Sequence, residues 1–508
     1  MRKIYITIIL TVVLIFGLFL RFYQLGNQSY WMDEGYTINA VISAIHNSYS
    51  GGSSILDSGE KYFCPLYCYP TQIISQAVGQ TAFSYRLLAA IFGAIFILLA
   101  FWLTKIIFKS NKAALLTAFF VSFSYWQIAW SHQARWYTML EVFFWLALLL
   151  FYLFLKTKTN KQKILYFILS IIFTILAIAT HKLAYLLPLI MLIWYFLVIP
   201  AQAGIQFYRT SWKKIIIAIL LAAAVIAFAE YGLDLHFIAH AIKNVSFHYE
   251  LPYYLSFYLR NNWPFILICI YGYFSAKKEQ KKNIALLAVP FLLYLFFLSF
   301  FTSLVYYRYL FHTTVALYVI GAVSTIDILD KIRYNYWKII SLLLLIILFF
   351  LTGEGVIFPK SFYLLEADNP SQLNRPYYAY TPQPDFNAAY AAIKQNLQPG
   401  DIVISSHPQF TKIFLDQPGY WMKYDYLGME DTPNTILNNK EYYVGATVIN
   451  NLAELQKLIS AKHGYIVFDY QSTDGRIDPT IINYIQSNLK LFFYNELNSY
   501  SKIWAYKF

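Results

Sequence analysis

The string Tyr30-Trp31-Met32-Asp33-Glu34-Gly35-Tyr36 places two adjacent carboxylates within a turn or two of the end of the first apolar run. A carboxylate at a bilayer boundary is expensive to desolvate, and such groups are commonly functional where they border a cavity. Asp33 is suited to taking the proton from a hydroxyl or amine as that atom forms a new bond. A carboxylate is a weak base, so the transfer has to be concerted with bond formation. The same position suits an N-cap for a helix over 34–46, with Glu34 complementing the helix dipole, and the two roles are compatible.

Cations of several segments accompany the acidic pair. Arg135, within Trp130-Ser131-His132-Gln133-Ala134-Arg135-Trp136-Tyr137, is a forked donor matched to a phosphate, and Tyr137 can add a hydrogen bond. Glu141, deeper in the same stretch, is placed to orient Arg135 or His181. Thr180-His181-Lys182 falls between two apolar runs almost without a loop, a depth at which a His-Lys pair suits an anionic group better than lipid. Tyr306-Tyr307-Arg308-Tyr309 opens a late apolar run, with His312 one turn along the same face. Taken singly, each basic residue could be an interface anchor among aromatic rings. Together with Lys61 they gather on one side of the membrane with Asp33, which points to a single anionic substrate. His132, His181 and His312 are scattered without zinc-type spacing, so no metal site is expected, although a divalent cation bridging Asp33 and a phosphate is compatible with the carboxylates.

The elements that must hold these residues are helices in a bilayer. Of 508 residues, 59% are apolar, 20% aromatic and only 13% charged, with a mean hydropathy of +0.48, which excludes a soluble domain of this size and gives a polytopic α-helical membrane protein. The net charge of +13 is dispersed over short loops rather than gathered in a stripe, so it reads as topology and not as a nucleic-acid surface. A retained first span covers 4–22. Further runs lie near 86–104, 113–131, 136–155, 164–181, 183–199, 214–231, 263–276, 284–302, 306–326 and 337–353, about eleven helices in all. An inner N-terminus puts the basic clusters at 105–112, 156–163, 209–214, 277–282 and 331–338 in the cytoplasm. Lys61, Arg135, Lys182, Lys243, Arg260 and Arg308 then lie outside, where the positive-inside rule does not ask for them.

Residues 23–85 form a long external segment. Ile38, Val41, Ile42 and Ile45 give one amphipathic helix lying on the membrane surface, and Ile73, Ile74, Ala77 and Val78 suggest a second, beyond a Ser- and Gly-rich stretch at 47–60. Cys64 and Cys68 could pair if oxidised, but are expected as unlinked small apolar side chains. The chain divides into a transmembrane unit at 1–353, a linker at 354–384 and a C-terminal extracytoplasmic α/β domain at 385–508. That domain has helices near 385–397, 408–415, 451–462 and 479–488, and strands near 401–405, 443–449, 465–470, 489–495 and 500–507. It carries no Gly-x-Gly-x-x-Gly and no Walker loop, so no nucleotide is assigned to it.

With these residues in hand the first 350 or so resemble the GT-C glycosyltransferases, in the branch of the protein O-mannosyltransferases and the bacterial aminoarabinose transferases of lipid A (family 39-like). The likeness rests on Leu20-Arg21-Phe22, Trp31-Met32-Asp33-Glu34, Ser84-Tyr85-Arg86-Leu87, Gln133-Ala134-Arg135-Trp136-Tyr137, Thr180-His181 and Arg308-Tyr309-Leu310. The resemblance implies a sugar donor on a polyprenyl phosphate and inverting transfer at the outer face of the cell membrane to a lipid, glycan or protein acceptor. It implies Asp33 as the general base, Glu34 as its acidic neighbour, and Arg135, Lys182 and Arg308 at the lipid phosphate. Tyr137 and His181, read from their own segments, join them as substrate contacts, and no cofactor is expected because the lipid phosphate is itself the leaving group. Where the family often has His-Pro-Pro or Lys-Pro-Pro, this chain reads Phe63-Cys64-Pro65-Leu66, and Lys61 is the substitute. The rival class is a transporter or flippase of lipid-linked sugars. That would call for inverted repeats and ionisable residues on both sides of the midplane, and the sequence shows neither.

Overall fold

In hydrocarbon a backbone must satisfy its own polar groups, so apolar runs of this length become helices. A computed structural model of the chain describes residues 3–45, 65–198, 224, 227, 247, 249–301, 306–352, 355, 383–422, 436–437, 440–441, 444–473, 477–497 and 501–508. Its first helices are α1 (Lys3–Phe22), α2 (Met32–Ile45), α3 (Pro65–Val78), α4 (Ala82–Phe108), α5 (Asn111–Phe123), α6 (Tyr125–Ser131), α7 (Tyr137–Lys156), α8 (Asn160–Thr180) and α9 (Leu187–Val198). Then come α10 (Leu251–Asn261), α11 (Trp263–Ser275), α12 (Lys278–Phe300), α13 (Phe311–Lys331) and α14 (Asn335–Leu351). Among the described residues six helices are long and apolar enough to cross a membrane, and α5, α9, α11 and α14 are shorter apolar helices. The span expected near 214–231 falls almost wholly outside the described residues. The helix α13 with its entry turn is buried along almost its whole length and forms the centre of the bundle, whereas α1 is mostly exposed and lies at its edge.

Three expected spans have ends that hydropathy does not reveal. The run at 113–131 is broken at Ser124, whose extended backbone ends α5 and whose Oγ caps α6 by accepting from the Gln127 N–H at 3.4 Å. The carbonyls released at the break are collected by Arg21 of α1, which donates to Val121 O at 3.0 Å and Ser122 O at 3.2 Å. A cation at a helix C-terminus complements the macrodipole, and here it also satisfies orphan acceptors. The runs beginning at 183 and 306 both open with tight 3-10 turns, Lys182–Leu186 and Tyr307–Leu310.

The expectation of a surface-lying α2 is corrected. Ile38 and Val41 are buried as its periodicity requires, yet Asp33, Glu34, Thr37 and Asn39 on its polar side are buried too. Arginines of the membrane unit meet Asp33, Glu34 and Thr37, and the C-terminal domain covers Asn39. Cys68 is disulfide-bonded, contrary to the unlinked reading, and Cys269 is a free thiol. A bond of this kind persists in an oxidising compartment. Cys64 lies outside the described residues.

The C-terminal α/β domain runs α15 (Phe386–Asn396), β1 (Ile402–Ser405), α16 (Pro408–Leu415), β2 (Tyr420–Met422), β3 (Ile436–Leu437), β4 (Lys440–Glu441), β5 (Thr447–Ile449), α17 (Leu452–Ala461), β6 (Gly464–Asp469), α18 (Pro479–Asn488), β7 (Lys490–Glu496) and β8 (Lys502–Lys507). The sheet order is β3-β4-β5-β2-β1-β6-β8-β7, parallel through β5, β2, β1 and β6 and antiparallel at both edges. The three-residue strand β2 and the β3–β4 pair were not expected, being too short to show an alternating pattern. One hydrophobic cluster joins the two units: Tyr30, Ile38 and Val41, with Trp136 and Met139 of the membrane part, pack together with Phe386, Tyr390, Phe410 and Val467 of the sheet domain. The boundary drawn in sequence at 354–384 is therefore not a break in packing.

Candidate active site

The two carboxylates of the Asp-Glu pair part at the first turn of α2. Glu34 turns inward and is fully buried, with Arg86 of α4 donating to both of its oxygens, Nε to Oε1 at 2.8 Å and Nη2 to Oε2 at 2.9 Å. The Trp31 N–H adds a bond to Oε2 at 3.0 Å and the Ala134 N–H one to Oε1 at 2.6 Å. Arg86 spends its remaining donors on the carbonyls of Leu25, Gln28 and Ser29. A buried ion pair is tolerable only with its other donors and acceptors satisfied in this way. The expectation of Glu34 as a substrate contact is corrected: the carboxylate ties the turn before α2, the loop before α7 and α4 into one unit.

Asp33 faces the opposite way. Its Oδ2 has Arg308 Nη2 at 3.5 Å and Arg135 Nη2 at 3.7 Å. These separations are longer than the 2.7–2.9 Å or so of a charge-assisted hydrogen bond, so the attraction is coulombic and leaves the carboxylate room to accept elsewhere. Among the described residues Oδ1 has no hydrogen-bond partner. The three side chains keep 12%, 6% and 8% exposure for Asp33, Arg135 and Arg308, so the groups are mostly withdrawn from water without being sealed.

Each arginine is held by its surroundings. Arg135 Nη1 donates to the Asp33 carbonyl at 3.2 Å and to Thr37 Oγ1 at 2.9 Å, and its guanidinium lies 4.1 Å from the Trp136 ring centre. Arg308, on the 3-10 turn before α13, stands over Tyr306 at 3.9 Å, with Trp31 at 5.1 Å and Tyr309 at 5.5 Å. Aromatic faces fix a guanidinium without neutralising it.

The remaining expected residues surround this centre unequally. Tyr137 is buried, its ring 5.9 Å from the Arg135 guanidinium and 5.7 Å from the His181 ring. The His181 ring also lies near Trp136 and Tyr309. His181 Nδ1 accepts the Leu183 N–H at 3.1 Å, which puts the proton of the neutral ring on Nε2. Desolvation, then the neighbouring Lys182 and Arg135, hold this histidine well below its usual range. Lys182 is exposed beside it. Lys61 lies outside the described residues.

Glu141 does not orient Arg135 or His181. Its Oε1 accepts from Gln127 Nε2 at 2.7 Å, and the cation that acts on it is Arg21. His312 is buried between the edges of Phe144 and Tyr294, one turn deeper than Arg308. The residues that sequence reasoning did not single out as site components are Arg86, Thr37 and Trp31. Arg86 was visible as part of Ser84-Tyr85-Arg86-Leu87, but its partner is distant in the chain.

A second polar cluster lies at the carboxyl ends of β1 and β6, where His407 Nε2 meets Asp469 Oδ1 at 3.2 Å and Ser472 Oγ at 3.3 Å. Ser472 Oγ also bonds Asp469 directly, and Ser406 Oγ donates to the same carboxylate at 3.4 Å. A nucleophilic triad needs its acid and its hydroxyl on different ring nitrogens. Here both meet Nε2, so the arrangement is a buried brace and not a hydrolytic relay. Among the described residues no group of three or more His, Cys, Asp or Glu could hold a metal ion.

No known family pattern matches the chain, and no curated protein does. Solved structures do. Over its whole length the chain is similar to ArnT from Cupriavidus metallidurans bound to undecaprenyl phosphate, with 12% identity, a TM-score of 0.59, and 100% of this chain and 98% of that one covered. It is also similar to the oligosaccharyltransferase AglB from Archaeoglobus fulgidus in complex with an inhibitory peptide and a dolichol-phosphate, at 12% identity and a TM-score of 0.58, covering 99% of this chain and 74% of that one. At such identities the likeness is one of fold alone.

Proposed function

We propose that the chain is a membrane glycosyltransferase that moves one sugar from a polyprenyl-phosphate donor to a hydroxyl or amine presented on the outer side of the membrane, with inversion. The observation that carries this reading is the convergence of Arg135 and Arg308 on the Oδ2 of a mostly buried Asp33 whose Oδ1 stays open. Asp33 takes the proton of the acceptor as its oxygen or nitrogen attacks the anomeric carbon. The bond from that carbon to the phosphate oxygen breaks, and its electron pair leaves with the lipid phosphate. Arg135, Arg308 and the exposed Lys182 offset the charge that builds there, which is electrostatic catalysis of the leaving group. Tyr137 and His181 line the approach, the latter as a neutral donor through Nε2.

The two neighbours named above were solved with undecaprenyl phosphate and with a dolichol-phosphate, which supports a polyprenyl carrier. The transfer balances without a nucleotide, because the lipid phosphate is itself the leaving group. With two guanidiniums already beside Asp33, chelation by EDTA is expected to leave the rate unchanged. The protein would lie in the cell membrane with its N-terminus inside and its C-terminal domain outside. The lysine bias of the inner loops and the disulfide at Cys68 support that orientation.

The test is release of undecaprenyl phosphate by the purified chain in lipid nanodiscs. The nanodiscs are offered a panel of undecaprenyl-phosphate hexoses and pentoses together with outer-surface glycolipid and protein fractions. At least one donor should be consumed, and Arg308→Ala should slow that turnover by about 10²–10³-fold. Arg308→Lys should recover little of it, since an ammonium does not reproduce the fork. Transport of the intact lipid-linked sugar across the bilayer without bond cleavage would overturn the proposal in favour of a flippase.

A further inference from the structure

The sheet domain stands on the helix that carries Asp33, and two residues of that helix make the contact. α16 approaches α2 so closely at Gly35 that a Cβ there would lie 2.6 Å from Gln409 Cγ and 3.0 Å from Phe410 Cε1. One turn on, Asn39 Nδ2 donates to the Gly35 carbonyl and to the Gln409 carbonyl, both at 2.9 Å, and so ties the start of α2 to the start of α16. Tyr30 meets Phe414 at 5.7 Å, and the Asn387 N–H donates to Ser29 Oγ at 3.3 Å on the flank of the same seam. The Gln409 side-chain amide is fully buried, and among the described residues neither of its polar atoms has a partner. The seam is thus held through the Gln409 main chain and by the absence of a side chain at Gly35, not by the amide.

Gly35 follows Asp33 by two residues. Glu34, between them, is locked to Arg86, so the first turn of α2 is fixed on its membrane side by an ion pair and on its outer side by α16. We infer that Gly35 and Asn39 are positioning residues for Asp33, and that the C-terminal domain serves as the clamp that sets the carboxylate against Arg135 and Arg308. The inference rests on the proposed role of Asp33 as base. A displacement of even 1 Å at a reacting group can cost about a hundredfold in rate. Alanine is intrinsically the better helix former, so a loss caused by Gly35→Ala would come from the collision with α16 and not from the helix itself.

The experiment uses the full chain in nanodiscs and whichever undecaprenyl-phosphate sugar the wild type turns over. Gly35→Ala should lower kcat by about tenfold or more while donor KM stays within about twofold, the signature of a misplaced catalytic group rather than lost binding. Asn39→Ala should do the same. Gln409→Ala, which removes the nearer obstruction, should return most of the turnover to the Gly35→Ala chain, the coupling expected if the collision with α16 is the cause of the loss. Hydrogen exchange at the amides of 37–41 should quicken in both single variants. A kcat for Gly35→Ala within about twofold of wild type, or a loss that Gln409→Ala does not relieve, overturns the inference. If the wild type consumes no donor, the proposed function has failed instead. The clamp is then judged by hydrogen exchange alone, and unchanged exchange in α2 of the Gly35→Ala chain overturns it.

Discussion

At the scale of single residues, two carboxylates that look alike in the sequence part company because of a guanidinium 52 positions away. Glu34 is consumed by Arg86, and Asp33 is left facing Arg135 and Arg308, where the proposed function makes it the base. Removing one partner of a buried, fully hydrogen-bonded ion pair strands the other, so Arg86→Ala should destabilise the folded protein by about 3–5 kcal/mol, read as the thermal midpoint and yield in detergent. Asp33→Asn should leave that midpoint essentially unchanged, since its partners stand at 3.5 and 3.7 Å rather than in tight hydrogen bonds. The sequence singled out this turn and two cations that the fold brings to it, Arg135 and Arg308. It could not mark which acid faces which way, because that depends on a long-range pairing that local pattern does not encode. The histidines show the same limit. Desolvation and the cations Lys182 and Arg135 hold His181 below its ordinary range, and burial pushes His132 down to about 3. Both therefore favour the neutral form in the folded state, so their contribution to stability is present above the unfolded value near 6.5 and is lost as pH falls below it. Melting curves between pH 7.5 and pH 5 should show a fall in midpoint that His181→Gln reduces.

At the scale of elements, hydropathy located the described apolar helices but neither α10 nor the breaks that aim Arg308 and the loop with Arg135. The 3-10 turn Lys182–Leu186 follows His181, and the turn Tyr307–Leu310 presents Arg308. The interruption at Ser124 allows α6 to bring the loop with Arg135 over α2. Such features depend on who accepts the freed backbone groups, and Arg21 does so for Val121 and Ser122. Replacing Arg21 by Met should leave those carbonyls without their donor at a cost of about 1–3 kcal/mol, and should slow the proposed turnover through the displaced loop although Arg21 is in a different helix from Asp33, Arg135 and Arg308. In the C-terminal domain the helices at 408–415 and 479–488 were legible to the residue, each opening on a proline and the second also capped by Asp478. The strand β2 was not, since three residues in the middle of a sheet owe their conformation to neighbours on both sides.

At the scale of the whole molecule, the composition shift near 354 suggested a membrane unit with an appended domain, and the packing shows one cluster running from Trp136 and Ile38 through Phe410 to Val467. The polar side of α2, expected in water, is covered by Arg86 and Arg135 of the bundle at Glu34 and Thr37 and by α16 of the sheet domain at Asn39, so both units pack against the helix that carries Asp33. Similarity to ArnT and AglB extends over almost the full chain at 12% identity, which shows how little of such an architecture is carried by residue identity and how much by helix length and order. The most direct test of the central claim is single-turnover transfer from an undecaprenyl-phosphate sugar by the Asp33→Asn chain in nanodiscs, with donor binding measured in parallel. The expected result is undiminished binding and a rate lower by about 10²–10⁴-fold, the usual contribution of a positioned general base. A rate equal to that of the wild type at equal donor occupancy would contradict it.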